Sequence, residues 1–469
     1  MNCPFCFLSL AAEPAPGGRC PACGEPIAVS LDVPPPAADA SHHLRQGLIA
    51  AKAGDHHRAV DEFTLAVRLD PRSAKAINNR GFSRAALRDF AAAIADFDAA
   101  IRLAPRFSGA FNNRGLARLA LGEHEEAIRD FDAAIAIEPD LALAHQNRGM
   151  ALAALGRHAE AVVAFDSAVA RNAELPNAFH NRGFSNTALA EFEAAVLDYD
   201  RAVLLRPREA TGWYNRGFVK SLSGAFDNAL ADFDEAVRLK PAFSEAHFLR
   251  GDLHRTCGRF AAAIADFDRV LNLKPTSSAA WLRRGECRLV SGDAARAVED
   301  FSEVVRLAPD ESAGYRNRGL AFVALAEWKS AVAEFTQAIR LDPLHAPTFH
   351  HRGNAHRRLG DEERAIVDFI DAIRLNPNSA DAFDDFAKMW DGAVAEGEGR
   401  MAIELAKRAC VLSDFAEWTA LRTLASAHAS AGEYREAAEW AAKALELAPP
   451  AAKAACADDL ERYRTNPAR

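Results

Sequence analysis

No segment of this sequence approaches the roughly 20 consecutive apolar residues that a membrane-spanning helix needs. The first residues also lack the basic segment and the apolar core of a secretory signal peptide. These two absences exclude the common routes into or across a membrane. We therefore expect a soluble protein without a membrane span, located in the cytoplasm.

Positive charge is in deficit as well. The chain has 56 Lys and Arg residues against 65 Asp and Glu, which gives a formal net charge of −9. A negative field repels phosphate backbones unless a local basic stripe overrides it, so we expect no nucleic-acid partner. The sequence also lacks the clustered Ser, His, Cys or carboxylate residues that catalysis requires. We therefore predict that the chain is not an enzyme and has no small-molecule substrate.

Cysteine is used in two different ways. Four of the eight cysteines stand singly and fit small core residues: Cys257, Cys287, Cys410 and Cys456. The other four form two C-x2-C pairs near the N-terminus: Cys3, Cys6, Cys20 and Cys23. Four thiolates in this spacing suit the tetrahedral shell of Zn²⁺, and they leave no open position for a catalytic water. Iron accepts the same ligands, but no redox domain is visible, so structural zinc is the predicted cofactor.

The two cysteine pairs resemble zinc-ribbon or rubredoxin-like knuckles, which implies a small four-cysteine zinc module at residues 1–31. A module of this size buries too little apolar area to fold alone, so metal binding must supply its folding free energy. Residues 32–39 include three consecutive prolines and predict a semi-extended linker, because such a stretch cannot continue a helix.

From residue 40 onward the sequence repeats with a period of 34 residues. An Arg-Gly pair recurs nine times at this step: Arg80-Gly81, Arg114-Gly115, Arg148-Gly149, Arg182-Gly183, Arg216-Gly217, Arg250-Gly251, Arg284-Gly285, Arg318-Gly319 and Arg352-Gly353. Alanine recurs likewise from Ala59 to Ala365, and an aromatic residue from Phe63 to Phe369. Nine matches without an insertion exclude chance, so the chain is a series of equivalent structural units.

Each unit has the pattern of a helical hairpin. In the second unit, apolar residues recur at helical spacing in two blocks, Ala74–Leu87 and Phe90–Leu103, separated by two polar residues. A proline ends the second block, because its ring clashes with a continuing helix and removes a hydrogen bond. The small residues Gly81 and Ala93 permit the two helices to approach closely, with Phe97 filling the space beside them.

These columns resemble the tetratricopeptide (TPR) family, whose 34-residue helix-turn-helix units carry Gly, Ala, aromatic and Pro residues at these positions. The resemblance implies an all-α fold, a right-handed superhelical TPR solenoid of about twelve repeats over residues 40–451. We place the units near residues 40, 74, 108, 142, 176, 210, 244, 278, 312, 346, 380 and 418. The eleventh is irregular, because it lacks the Arg-Gly pair and carries about four extra residues. Residues 452–469 are predicted as a capping helix and tail.

Two columns of the first helices face the binding wall that the TPR resemblance implies. One column is rich in asparagine: Asn79, Asn113, Asn147, Asn181 and Asn215. The other is apolar in the same five units: Phe82, Leu116, Met150, Phe184 and Phe218. Because asparagine disfavours helix interiors, its recurrence requires a reason.

Two interpretations of the asparagine column are open. In the first, each amide holds the backbone of an extended peptide while the apolar column receives its side chains. Such a column resembles the asparagine ladders of O-GlcNAc transferase and kinesin light chain repeats. In the second, the asparagines bond within their own repeats and spread by duplication. Asp252 and Glu286 interrupt the apolar column where Leu249 and Arg283 interrupt the asparagine column, so we predict the peptide-binding groove at about residues 74–220.

The arginine that precedes each glycine also has two interpretations. The row would serve either as an anion clamp or as a set of structural ion pairs with acids of the second helices, such as Asp96 and Asp98. Because the acids match the arginines in number, we predict the ion pairs. We expect them to be partly exposed and to contribute on the order of 0–1 kcal/mol each.

The sequence thus predicts a scaffold or adaptor that binds protein or peptide segments in the concave groove of the repeats, with the structural zinc module as an accessory contact. Two alternatives stand beside it: a non-catalytic regulatory subunit of an enzyme complex, and a nucleic-acid binder that uses its zinc ribbon. The latter is disfavoured because residues 1–39 hold one Arg against two Asp and two Glu.

Overall fold

A computed structural model of the protein describes residues 39–390 and 398–465. Within these ranges the chain forms 25 α-helices, one short 3₁₀ helix and no strand, which confirms the all-α prediction. None of the described helices is both long enough and apolar enough to cross a membrane. The chain divides into two compact units between Val219 and Lys220, which we call unit 1 and unit 2.

Unit 1 contains five complete helix pairs. The first helices of these pairs are α1 (Ala40–Lys52), α3 (Ala74–Ala86), α5 (Ser108–Ala120), α7 (Ala142–Ala154) and α9 (Pro176–Ala188). The second helices are α2 (His56–Leu69), α4 (Phe90–Leu103), α6 (His124–Ile137), α8 (His158–Arg171) and α10 (Phe192–Leu205). Helix α11 (Ala210–Leu222) contains the division between the units. From α1 to α10, consecutive helices contact each other, as a chain of hairpins requires.

Unit 2 continues the same alternation. Its regular helices are α12 (Phe226–Leu239), α13 (Ser244–Thr256), α14 (Phe260–Leu273), α15 (Ser278–Val290), α16 (Ala294–Leu307), α17 (Ser312–Ala324), α18 (Trp328–Leu341), α19 (Ala346–Arg358) and α20 (Glu362–Leu375). It ends with α21 (Ala380–Ala387), a 3₁₀ turn (Lys388–Trp390), α22 (Glu398–Leu412), α23 (Trp418–Ser430), α24 (Tyr434–Leu447) and α25 (Lys453–Thr465). The predicted insertion of the eleventh repeat, around residues 396–399, lies partly outside the described residues. Leu460 and Tyr463 of α25 are buried against Ala437 and Ala441 of α24, so the last helix shields an apolar surface from water.

One residue in the left-handed conformation makes the turn inside each hairpin whose turn the structure describes. Gly122, Gly224, Gly258 and Gly360 have φ angles between 71° and 81°, which glycine adopts without steric strain. The next residue is the N-cap of the following helix, and in the second repeat the N-cap Asp89 accepts a hydrogen bond from the backbone N–H of Ala92 at 3.3 Å. Glycine therefore ends the first helix of these hairpins in the left-handed conformation.

Close helix contact inside each hairpin depends on the repeated glycine. A Cβ atom at Gly81 would lie 2.8 Å from Cε1 of Phe97, and one at Gly115 would lie 2.6 Å from Cε1 of Phe131. Both rings are fully buried. The absence of a side chain at glycine thus makes room for an aromatic ring, and burial of that ring contributes about 1.5–3 kcal/mol to the free energy of unfolding.

Three hairpins lack glycine at the left-handed position. Arg88, Ala190 and Ala326 have φ angles of 65°, 61° and 57°, a conformation that costs an L-residue roughly 1–2 kcal/mol. We expect Ala326→Gly to raise the free energy of unfolding of unit 2 by about 0.5–1 kcal/mol, because relief of this strain exceeds the added backbone entropy of the unfolded chain. The midpoint of urea denaturation, followed by circular dichroism, measures the change.

The matched control for this substitution is Gly292→Ala, which places a Cβ atom at a φ of 85° in an equivalent turn of unit 2. Gly292→Ala should lower the midpoint of urea denaturation, whereas Ala326→Gly should raise it. If both substitutions lowered the midpoint, the turn at Ala326 would not be strained.

Candidate peptide-binding surface

The apolar column lies on the side of the first helices in unit 1 that the second helices leave uncovered. Three of its members are large and exposed: Phe82, Leu116 and Phe184, at 51%, 37% and 54%. Met150 and Phe218 are partly buried. We call this side of α1, α3, α5, α7 and α9, with the adjacent asparagine column, the first-helix face. A row of exposed apolar side chains is typical of a contact surface.

The two predicted columns meet in one cavity. Phe82 and Leu116 line a pocket of about 240 Å³ together with Asn113, Ala86 and Phe90. The lining comes from two successive repeats and is apolar except for the Asn113 amide. Such a cavity suits an apolar side chain whose own backbone lies beside a hydrogen-bonding amide.

The asparagine amides connect successive repeats. Nδ2 of Asn113 donates to Oδ1 of Asn78 at 3.1 Å, and Nδ2 of Asn147 donates to Oδ1 of Asn112 at 2.9 Å. The partner in each case lies 35 residues earlier, on the preceding first helix. Neither sequence interpretation included this bond, because both considered a peptide or the asparagine's own repeat. Each Oδ1 atom has two lone pairs and retains the capacity to accept a hydrogen bond from a ligand.

The residue 35 positions earlier differs among the asparagines, and their hydrogen bonding differs as well. Asn215 lies 3.1 Å from Nε2 of His180, which occupies that position. The corresponding residue for Asn79 is Leu44, which has no acceptor, and Nδ2 of Asn79 is buried without a hydrogen-bond partner among the described residues. The adjacent Asn-Asn pairs in two repeats were the available sequence signal for this second polar column.

The arginine row is occupied by ion pairs. Arg114 contacts Asp130 of its own repeat and Asp98 of the preceding repeat, both at 2.5 Å. Arg182, Arg250 and Arg284 repeat this arrangement. The Arg114 guanidinium also lies over the ring of Phe111, 5.4 Å from its centroid. The predicted ion pairs are confirmed, and these guanidinium groups are already engaged by the fold.

The prediction that these pairs are partly exposed holds for the acid of the preceding repeat, such as Asp98 at 37%, but it is wrong for the acid of the same repeat. The side chains of Asp96, Asp130 and Asp300 are 5%, 3% and 1% exposed, because each acid faces its own first helix across the hairpin. Burial raises the pKa of the Asp198 and Asp300 carboxyl groups even though arginines adjoin them. A carboxylate in this environment depends on its cation for compensation.

The predicted zinc ligands Cys3, Cys6, Cys20 and Cys23 lie outside the described residues. Within the residues that the structure describes, no group of three or more His, Cys, Asp or Glu side chains could hold a metal ion. Three of the remaining cysteines, Cys287, Cys410 and Cys456, are buried. Burial raises the pKa of the Cys287 thiol to about 11, which leaves it protonated and unreactive, as suits a small core residue.

Comparison with protein families identifies the repeat. A tetratricopeptide repeat model matches residues 223–278, 258–312 and 316–380, and a TPR repeat model matches residues 117–156. The chain contains tetratricopeptide repeats. These matches lie in both units, and they confirm the resemblance drawn from the 34-residue period. A search of curated proteins found no match.

Several solved structures are similar to the chain in fold. Yeast Tom70 is 16% identical with a TM-score of 0.42, over 91% of this chain and 95% of that one. MamA from Desulfovibrio magneticus RS-1 is 24% identical with a TM-score of 0.35, over 36% and 96%. YrrB, described as a TPR protein with an unusual peptide-binding site, is 18% identical with a TM-score of 0.37, over 40% and 96%.

Proposed function

We propose that this TPR protein is a non-catalytic scaffold that binds extended segments of other proteins along the first-helix face of unit 1. The observation that carries the proposal is the pocket in which Phe82, Leu116 and Asn113 meet. An apolar side chain of the ligand would enter the pocket, and Oδ1 of Asn113 would accept a hydrogen bond from the ligand backbone. The same pair of columns recurs every 34 residues, so the ligand would bind as an extended segment and not as a folded domain.

Charge at the equivalent positions of unit 2 supports placing the groove in unit 1. There Asp252 pairs with Arg255, and Glu286 pairs with Arg283. Paired charges on the first helices replace the exposed apolar side chains that would receive a ligand. We therefore retain residues 74–220 as the proposed groove.

Substitution in the apolar column tests the proposal. We expect Phe82→Ser, Leu116→Ser and Phe184→Ser together to weaken binding of a selected peptide at least about tenfold, or 1.4 kcal/mol, because each removes apolar surface from the contact. The peptide is selected from a displayed library with the full chain as bait. Its affinity is measured by fluorescence anisotropy.

The chain offers a matched control for this variant. Val163, Leu197 and Leu204 are 62%, 69% and 67% exposed, and they lie on the second helices α8 and α10. Their triple serine variant should keep the affinity within about twofold. Equal losses of affinity in the two variants would show that the peptide binds by nonspecific hydrophobic contact and not through the first-helix face. Asparagine variants are less suitable, because Asn113 and Asn147 also connect repeats.

The N-terminal module is a second part of the proposal. We propose that Cys3, Cys6, Cys20 and Cys23 bind one structural Zn²⁺, which stabilises an accessory contact site. We expect metal analysis of the purified chain to find one zinc per molecule. A chelator should release it without changing the helical circular dichroism of the repeats, because metal binding is coupled to folding of the small module alone. Metal-free protein, or loss of helicity with chelator, would contradict the assignment.

A further inference from the structure

Acidic residues are absent from the first helices of unit 1. Helices α1, α3, α5, α7 and α9 contain nine Lys and Arg residues and no Asp or Glu. The whole chain has 65 acidic residues among 469, about one in seven. At that density, five helices of 13 residues would hold about nine. The first-helix face is therefore built without negative side chains.

Six of the nine cations are engaged by carboxylates of the second helices: Arg80, Arg84, Arg114, Arg118, Arg148 and Arg182. The other three are Arg45, Lys52 and Lys75, which are exposed. They form no salt bridge with any residue in the described ranges. Arg45 donates one hydrogen bond, to the Ser41 hydroxyl at 3.3 Å. These three side chains retain their charge for a ligand.

The three free cations lie beside the apolar column. Arg45 and Lys52 stand three residues before and four residues after Leu48, which is 41% exposed and occupies the apolar column one repeat before Phe82. Lys75 stands seven residues before Phe82 on α3. Residues at these spacings share one side of a helix. Positive charge and exposed apolar surface therefore alternate at the N-terminal end of the first-helix face.

The acids close to these cations have other hydrogen-bond partners. Asp39, whose charge interacts with that of Arg45, accepts hydrogen bonds from the Ser41 hydroxyl and the backbone N–H of His42. Asp55 and Asp89 cap α2 and α4, where each accepts a hydrogen bond from a backbone N–H of its own helix. Glu62 contacts His43 at 2.7 Å. These acids stabilise helix termini and a local ion pair, so they do not neutralise Arg45, Lys52 and Lys75 by direct contact.

We infer that the partner segment bound by the first-helix face combines apolar side chains with acidic ones, and that its acidic residues lie against Arg45, Lys52 and Lys75. The inference rests on the proposed function and specifies its ligand. Complementary charge raises the association rate and excludes basic segments, and at an exposed face its effect falls as salt is added. In unit 2, the glutamate and aspartate on α13 and the glutamate on α15 disfavour the same ligand at those two repeats.

The test uses the full chain as bait for a displayed library of random dodecapeptides. Selected peptides should be rich in Asp and Glu beside Leu, Phe or Met. A labelled selected peptide should lose affinity as sodium chloride is raised. Its counterpart with every acidic residue changed to the matching amide should bind at least about tenfold more weakly. This comparison needs no substitution in the protein, so it does not depend on the folding of a variant.

A pair of charge-reversal variants locates the effect. Arg45→Glu, Lys52→Glu and Lys75→Glu together should weaken the acidic peptide at least about tenfold. The matched control, Arg58→Glu, Arg68→Glu and Arg102→Glu, changes the net charge equally at exposed positions of α2 and α4. The control should retain affinity within about twofold. Equal losses in the two variants would overturn the inference, since net charge alone would then explain binding.

Other outcomes separate the inference from the proposed function. Selected peptides without acidic residues that still depend on Phe82, Leu116 and Phe184 would overturn the inference and leave the proposed function in place. Failure of the library to yield any peptide would overturn both. A synthetic peptide of residues 1–33 that binds more tightly than the selected peptide and displaces it would assign the face to the chain's own N-terminal segment. That result would also overturn the inference that the face binds an acidic segment of another protein.

Discussion

Replacing Asp300 with alanine should lower the free energy of unfolding of unit 2 by about 3–5 kcal/mol. The carboxylate is 1% exposed and contacts two guanidinium groups, Arg284 at 2.6 Å and Arg288 at 2.8 Å. Both arginine side chains are themselves largely buried, at 12% and 15% exposure. Removal of the acid takes away the carboxylate that Arg288 contacts and leaves Arg284 with the more exposed Asp268, in a region that water reaches poorly. Urea denaturation of the full chain, followed by circular dichroism, measures the loss.

The control for this substitution is a second acid on the same arginine. Asp268 also contacts Arg284, but its side chain is 46% exposed. Asp268→Ala should lower the free energy of unfolding by about 0–1 kcal/mol, because solvent screens an exposed pair. Similar losses at Asp268 and Asp300 would mean that burial does not determine the strength of these pairs.

Acidification from about pH 6.5 to pH 4 should destabilise unit 2 through His351, by about 2–3 kcal/mol. Burial lowers the pKa of His351 to about 4, and the neighbouring His350, His345 and Arg316 act in the same direction, whereas Asp385 opposes them. The ring is stacked 5.9 Å from the centroid of Phe335. Between these pH values the unfolded chain binds a proton that the folded chain does not. Stability is therefore fully present above pH 6.5 and is lost as the pH falls toward 4.

The variant His351→Asn isolates this contribution, because Asn317 occupies the equivalent position of the preceding repeat. Other acids titrate in the same range in both proteins, so the informative quantity is the difference between them. Urea midpoints measured at intervals from pH 7 to pH 4 should fall more steeply for the unsubstituted chain. Parallel pH profiles would show that His351 is not the group responsible.

Contacts inside one repeat were predictable from the sequence, because the period places their residues in fixed columns. The approach of Gly81 to Phe97 follows from small and aromatic residues that recur together, and the structure confirms it. The pairing of Arg80 with Asp96 follows from equal numbers of opposite charges. Because the sequence is periodic, a contact inferred between two columns in one repeat is expected in every repeat that has the same residues.

Contacts between repeats were not predictable in the same way. The bond from Asn113 to Asn78 depends on how far one first helix is displaced along the next, and a period fixes the spacing of units without fixing that displacement. The burial of Asp130 was missed for a related reason. Its column is acidic in most repeats, although Ala164 occupies it in one, and polarity alone suggested exposure. The pocket at Phe82 also requires the relative placement of two repeats.

Arg114 shows how such a chain can change its length. Its guanidinium joins Asp98 of the preceding repeat to Asp130 of its own, and Arg148 contacts Asp132 as Arg114 contacts Asp98. If residues 108–141 were lost by recombination between repeated gene segments, Arg148 would meet Asp98 at the new junction. Loss of that 34-residue segment thus leaves a junction with the same kind of ion pair. Recombination of this kind can therefore change the number of repeats within a unit without requiring a new kind of interface between neighbouring repeats.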